Sequence, residues 1–332
     1  MTAPKVVISN WVHPEIHTFL EPHCTLIANT TRSPWTQARI IEECADAQAF
    51  MAFMPDSVDQ KFLEQCPHLG IVACALKGFD NFDVEACTQH GVWVTMVSDL
   101  LTAPSAELAV GLLIGLGRNI GPGDQFIRSN QFYGWRPVLY GSGLDKSVVG
   151  ILGIGQVGQA IAARLQGFGC SRILYHDPAV SDDLLGLKDL ESVDFPELLS
   201  VSDFLILAAP LTGTTVHCID AKALDQMQAG SRLINIGRGS VVDEQAVSIA
   251  LESGKLAGYA ADVYESEDWA REDRPKVIPP QLLAQKDKTL FTPHIGSAVD
   301  RVRIEIARQA GESILQYLRG EIPHGAINQV ST

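Results

Sequence analysis

Three side chains capable of polar chemistry stand where apolar runs give way to loops. They are Arg238 in Asn235-Ile-Gly-Arg-Gly-Ser240, Glu267 in Asp262-Val-Tyr-Glu-Ser-Glu267 and His294 in Thr292-Pro-His-Ile-Gly-Ser297. A histidine takes or gives a proton near neutral pH. A carboxylate on its far ring nitrogen would fix the tautomer and stabilise the imidazolium. An arginine offers a planar, permanently charged fork to an oxyanion. That set suits a hydride transfer in which a substrate or water proton must also leave. Each residue has a plainer reading: a surface or capping arginine, a solvated acidic loop around Glu265 and Asp268, a histidine that satisfies backbone in a tight turn. Spacing alone does not join the three.

A hydride needs an acceptor, and Gly153-Ile-Gly155-Gln-Val-Gly158 provides for one. The run Ser147-Val-Val-Gly-Ile-Leu152 before it reads as a buried strand, and Gln159 to Phe168 after it carries apolar residues at helical spacing. Leu174-Tyr-His-Asp177 then reads as a second strand ending in a carboxylate. Strand, glycine turn, helix and acidic strand end form a dinucleotide-binding unit. Gly153 permits the turn, Gly155 lets backbone approach a pyrophosphate, and Gly158 lets helix and strand pack closely. The helix amides face the pyrophosphate, and Asp177 would accept from the ribose hydroxyls. No Lys or Arg follows within Pro178-Ala-Val-Ser-Asp-Asp183, so the cofactor expected is NAD rather than NADP.

The elements that must position these residues alternate. Strand candidates at 5–9, 25–27, 49–54, 71–75 and 92–96 are separated by helical patterns, including 35–46, 58–66 and 83–90. Later strands are expected at 204–209, 232–235, 258–262 and 289–291. This is an α/β chain with parallel sheets. Its 332 residues allow about two domains. Ala106 to Arg118 is apolar almost all round and is read as a buried helix of 13 residues, too short to span a membrane. Its small residues at 106, 109, 111, 115 and 117 would admit the close approach of another helix, such as one from a second subunit. Residues 120–144, rich in Gly, Pro and aromatics, are read as an extended arm. The amphipathic segment from Val302 to Leu318 is expected to pack back on the first domain.

A net charge of −14 argues against nucleic acid or an anionic membrane as partner. No apolar stretch is read as long enough to cross a bilayer, and the N-terminus runs into a strand without a signal-peptide core. Seven scattered cysteines without a CxxC pair point to reduced thiols and to no metal site. The expected location is cytoplasmic.

The glycine turn, Pro210-Leu-Thr-Gly-Thr-Thr215, Asn235-Ile-Gly-Arg-Gly-Ser-Val-Val-Asp243, Ala261-Asp-Val-Tyr264 and Thr292-Pro-His294 together resemble the D-2-hydroxyacid dehydrogenase family over nearly the whole chain. The resemblance implies two Rossmann- or flavodoxin-like domains, with the dinucleotide domain inserted into the substrate domain. The substrate domain would comprise residues 1–100 and 300–332. The NAD domain would comprise residues 101–299, with a dimerisation helix and arm. It implies a homodimer and the roles of substrate-binding and acid–base residues for Arg238, Glu267 and His294. Cofactor contacts would come from Gly153, Gly155, Gln156, Val157, Gly158, Asp177, Pro210, Asp262 and Gly296. Within the family, Met51-Ala-Phe-Met-Pro-Asp56, Cys74-Ala-Leu-Lys-Gly-Phe-Asp-Asn-Phe-Asp83, Gly134-Trp-Arg-Pro137 and Glu265-Ser-Glu-Asp-Trp-Ala270 resemble the phosphite (phosphonate) dehydrogenases. Hydroxyacid enzymes usually carry a small residue where Lys77 stands, and commonly Pro where Asp268 follows Glu267. The substrate implied is phosphite, a tetrahedral dianion lined by Met54, Lys77, Gly78, Trp135, Tyr140, Ser297 and Arg303. The competing readings are a glyoxylate or hydroxypyruvate reductase, which the same dyad supports, and a dinucleotide-sensing binding protein.

Overall fold

The computed structural model describes residues 3–180, 189–269 and 271–330, and the chain divides into two units, residues 1–101 with 297–332 and residues 102–296. The first unit runs β1 (Lys5–Ile8), α1 (Pro14–Leu20), β2 (Thr25–Ala28), α2 (Gln37–Cys44), β3 (Ala49–Ala52), α3 (Gln60–Gln65), β4 (Ile71–Cys74), α4 (Val84–Gln89) and β5 (Trp93–Met96). Its sheet has the order β2-β1-β3-β4-β5, and every pair is parallel. Such a sheet needs cover on both faces, which is why β3 and β4 are buried at every residue. Val7, Phe50 and Val72 line one apolar layer, Val6, Met51 and Ile71 the other. The C-terminal helix, Asp300–Leu318, closes the second layer with Ile306, Ala310 and Ile314 and packs on α1 and β4. Asp59 and Asp83 cap α3 and α4 by accepting from the amides of Phe62 and Ala86, 2.8 and 2.9 Å away.

The second unit opens with α5 (Thr102–Gly117) and α6 (Ile120–Arg128). It continues through β6 (Val148–Leu152), α7 (Gln156–Leu165), β7 (Arg172–His176), β8 (Leu190–Ser192), α8 (Phe195–Val201) and β9 (Phe204–Leu207). Then come α9 (Ala221–Gln226), β10 (Ser231–Asn235), α10 (Glu244–Glu252), β11 (Leu256–Ala261), α11 (Pro280–Ala284) and β12 (Thr289–Phe291); the C-terminal helix is α12. Its seven strands lie in the order β12-β11-β10-β9-β6-β7-β8, again all parallel. Strand order reverses direction between β6 and β9, where ligands of open α/β sheets bind at the carboxyl ends.

Several sequence expectations change here. The apolar helix starts at Thr102 rather than Ala106, because Pro104 falls in its first turn, where the missing N–H has no intrahelical partner. Together with the 3₁₀ turn Asp99–Leu101 it makes a helical run of 19 residues. Among the described residues this is the one run long and apolar enough to cross a membrane by length and composition, contrary to the 13-residue reading. Its α5 part packs on β10, β11, β12 and α7, which accounts for its apolarity. The small residues are largely used inside the unit: a Cβ at Gly115 would lie 2.7 Å from Leu290, and one at Gly117 would lie 2.9 Å from the Ser142 carbonyl. Only Gly111 of the five faces open space.

The arm is also not extended from its start. Residues 120–128 form α6, again with Pro in the first turn, and Arg128 pairs with Asp124 at 2.7 Å. Helix α7 begins at Gln156, not Gln159, because it must start directly behind the glycine turn; Gln166–Phe168 is a separate 3₁₀ turn.

Candidate active site

The glycine turn joins β6 to α7. Gly153 adopts φ +91°, and a Cβ there would lie 2.7 Å from the Ala209 amide nitrogen, so the loop after β9 closes on it. A Cβ at Gly158 would stand 2.2 Å from the Gly153 carbonyl oxygen. At Gly155, by contrast, it would meet nothing within 4 Å, leaving space directly before the first turn of α7. The amides of Gln156, Val157 and Gly158 open that helix and lack intrahelical acceptors. A pyrophosphate fits this cradle. Asp177, just past β7, accepts from the Ile154 amide with one oxygen and from the Ala179 amide with the other, both at 2.9 Å. A second lone pair on each oxygen is left for ribose hydroxyls. Asp182 and Asp183, part of the NAD-over-NADP argument, lie outside the described residues. Pro210 begins a turn closed by the Thr215 hydroxyl, which donates to the Pro210 carbonyl at 2.7 Å.

Beyond β11 and β12 the titratable pair comes together. His294 Nδ1 lies 3.0 Å from Glu267 Oε2, with both side chains half-buried. Glu267 ends a 3₁₀ turn, Glu265–Glu267, and its other oxygen accepts from the Tyr264 amide at 2.9 Å, so the carboxylate cannot swing away. His294 has φ +52°, a left-handed conformation uncommon outside glycine. One carboxylate holds it there. Asp262, buried at the end of β11, accepts from the Thr292 hydroxyl at 2.6 Å and from the amides of Ile295 and Gly296, each at 2.8 Å. Burial pushes the Asp262 pKa up, against those hydrogen bonds and the nearby imidazole. Tyr264 adds a hydroxyl bond to the Thr292 carbonyl at 2.9 Å.

Arg238 follows β10. Asn235 folds that loop, donating to the Arg238 carbonyl at 2.9 Å and accepting from the Gly237 amide at 3.1 Å. Arg238 itself donates to the Gly237 carbonyl at 2.9 Å. The loop is tied to the Glu267 turn by Asp268, which accepts from the Ser240 amide at 2.6 Å. Glu265 and Glu244 reinforce the tie reciprocally, each accepting from the other's amide at 3.0 Å. The Arg238 loop and the Glu267–His294 pair thus stand on neighbouring loops of one sheet end.

Residues 110–296 match the family model described as D-isomer specific 2-hydroxyacid dehydrogenase, NAD binding domain. The chain belongs to the D-isomer-specific 2-hydroxyacid dehydrogenase family. Its NAD-binding domain is the second unit, and its sheets are the two parallel sheets of that fold. The glyoxylate reductase of Thermococcus litoralis is 36% identical over 295 residues, covering 87% of this chain and 86% of its own. That of Pyrococcus furiosus is 34% identical over 331 residues, covering 98% and 96%. The crystal structure of a protein from Thermus thermophilus superimposes with a TM-score of 0.88 at 28% identity, covering 98% of this chain and 100% of that one. The relatives' names favour the 2-hydroxyacid reading over the phosphite reading.

The remaining candidates of this family member fall in two groups. In the second unit, Trp135 and Tyr140 are 85% and 79% exposed, and neither hydrogen-bonds to Arg238, Glu267 or His294 among the described residues. In the first unit, Lys77 and Gly78 follow β4, and the Lys77 ammonium pairs with Asp99. Met54 lies in a loop braced by buried Asp56, which accepts from the Ser9 hydroxyl and from the Phe53 amide at 2.7 Å. Arg303 is half-buried, its guanidinium 3.4 Å from the Ser297 hydroxyl and over the Phe53 ring. It has no carboxylate partner among the described residues, and burial lowers its pKa. The sequence reading misses the structural use of Asp262, Asp268 and Asn235. The signal available for Asp268 is its departure from the Pro common at that position.

Proposed function

We propose that this chain oxidises phosphite to phosphate with NAD. Bound NAD supplies the hydride acceptor. His294 takes a proton from the water whose oxygen becomes the fourth on phosphorus, and Glu267 steadies the resulting imidazolium through its ring nitrogen. Arg238 binds two of the substrate's oxygens as a fork. The phosphite reading rests on the resemblance of Met51–Asp56, Cys74–Asp83, Gly134–Pro137 and Glu265–Ala270 to the phosphite dehydrogenases. Within the first unit, Arg303 is a half-buried cation without a carboxylate partner among the described residues. An unneutralised cation withdrawn from water is costly, and an anion of high charge relieves it.

The second reading, reduction of glyoxylate-type 2-oxoacids, is favoured by the names of the relatives and uses the same dyad with His294 as proton donor. The intact pair at 3.0 Å weighs against a mere dinucleotide sensor. Absorbance at 340 nm decides among the three. NADH formation from phosphite supports the first. NADH consumption with glyoxylate, or formation with D-lactate or D-glycerate, and none with phosphite supports the second. No turnover with any substrate leaves the third. The exposed Tyr133, Trp135 and Tyr140 support a homodimer in which the arm is covered, tested by light scattering.

A further inference from the structure

Directly after Glu267 stands a further buried carboxylate, Asp268. It is 7% exposed. Its Oδ2 accepts from the Ser240 amide at 2.6 Å, 28 positions away in the chain and two residues beyond Arg238. Its own amide donates to the Glu265 carbonyl at 3.2 Å, and its carbonyl accepts from the Arg271 amide at 2.9 Å. Burial raises its pKa, against the hydrogen bonding from Ser240 and the nearby Arg238 cation. One side chain therefore touches the backbone behind the anion fork while its own backbone continues the turn that aims Glu267 at His294.

We propose that Asp268 is a positioning residue that keeps the Arg238 fork in register with the Glu267–His294 pair. The inference rests on those three residues being the substrate-handling set. Without the 2.6 Å bond, nothing from the Glu267 turn engages the Ser240 amide. The loop behind Arg238 then keeps the Asn235 and Glu244–Glu265 ties and the bonds from the His217 amide to the Ser240 carbonyl at 2.7 Å and from the Ile219 amide to the Val241 carbonyl at 3.1 Å, the last two of which come from outside the Glu267 turn. Small misplacement of a fork relative to an acid–base pair is expensive in rate. Asparagine preserves an acceptor oxygen for Ser240, whereas alanine removes it, so the two substitutions separate positioning from mere charge.

The test compares Asp268→Ala and Asp268→Asn with the wild type in three measurements. In steady-state kinetics on whichever anion the wild type turns over, Asp268→Ala is expected to raise KM and lower kcat at least tenfold each, and Asp268→Asn to stay within about fivefold. NAD affinity by fluorescence and Tm are expected to remain close to wild type in both. Amide exchange of residues 238–241 is expected to be at least tenfold faster in Asp268→Ala and restored in Asp268→Asn. Unchanged exchange, an asparagine variant as damaged as the alanine variant, or loss spread equally over NAD affinity and Tm overturns the proposal. Turnover surviving in Arg238→Lys and His294→Ala instead overturns the functional reading, leaving the exchange result to judge Asp268.

Discussion

Glu244 offers a sharp test of the polar network beneath the site. It is fully buried as the first residue of α10, with Oε1 accepting from the Glu265 amide and Oε2 without a hydrogen-bond partner among the described residues. Burial raises its pKa from 4.5 to about 7, and the charges of Glu265, Asp268 and Glu267 push the same way. A carboxyl raised on folding stabilises the protein while it stays protonated. That stability is complete below 4.5 and lost as pH climbs through about 7. At about 1.4 kcal/mol per pH unit, the loss over this window is ~3 kcal/mol. Glu244→Gln cannot ionise yet keeps an oxygen for the Glu265 amide, so it escapes the loss. Its Tm relative to wild type should therefore rise by roughly 6–12 °C between pH 4.5 and 8, at about 2–4 °C per kcal/mol for a unit of this size. Thermal melts followed by circular dichroism at half-unit pH steps measure it. A Tm difference that stays constant over that range refutes the reasoning, since the two proteins would then bind equal numbers of protons on unfolding.

Three further outcomes are expected. Glu267→Gln leaves an amide against His294 Nδ1 but removes the charge, and should lower kcat by roughly ten- to a hundredfold, matching ~1.5–3 kcal/mol for a hydrogen bond to a charged group, with NAD affinity by fluorescence unchanged. Lys77→Ala should raise KM for phosphite at least tenfold without altering NAD affinity; a wild-type KM would reduce Lys77 to the exposed partner of Asp99. Asp177→Ala combined with Pro178→Arg should improve kcat/KM for NADP over NAD, and a wild-type enzyme already preferring NADP would show that Asp177 does not select the cofactor.

The strands and the cofactor fingerprint are legible because their signals are local. A four-residue apolar run such as Phe204–Leu207 reads the same in sequence and in the sheet. The three-residue edge strand Leu190–Ser192 is not, since it is half-exposed and carries no apolar run. Helices α8, α9 and α10 also escape a reading by apolar runs, although Asp194, Asp220 and Asp243 cap each with a side chain accepting from the third amide on. At the site, Arg238, Glu267 and His294 can be nominated by residue type. Their assembly cannot be read, because it depends on Asp262 and Asp268 bonding across 28 to 34 positions, and long-range carboxylate-to-amide bonds leave no periodic trace. The arm misleads because Pro122, in the first turn of α6, reads as a breaker when it is compatible with a helix start.

The Asp262 carboxylate fixes the histidine loop at three points within five residues, Thr292, Ile295 and Gly296, and its backbone carbonyl accepts from the His294 amide at 2.9 Å. A loop suspended so has side chains that can drift over evolutionary time, since only one of the three attachments, the Thr292 hydroxyl, belongs to a side chain. Its length cannot. One residue inserted or deleted between Thr292 and Gly296 would break the match between the end of β11 and two successive amides, and the ring of His294 would lose its aim at Glu267 before any side chain had changed. Diversification of this site is therefore channelled into substitutions at fixed loop length, and recombination with a longer loop is a route the scaffold closes.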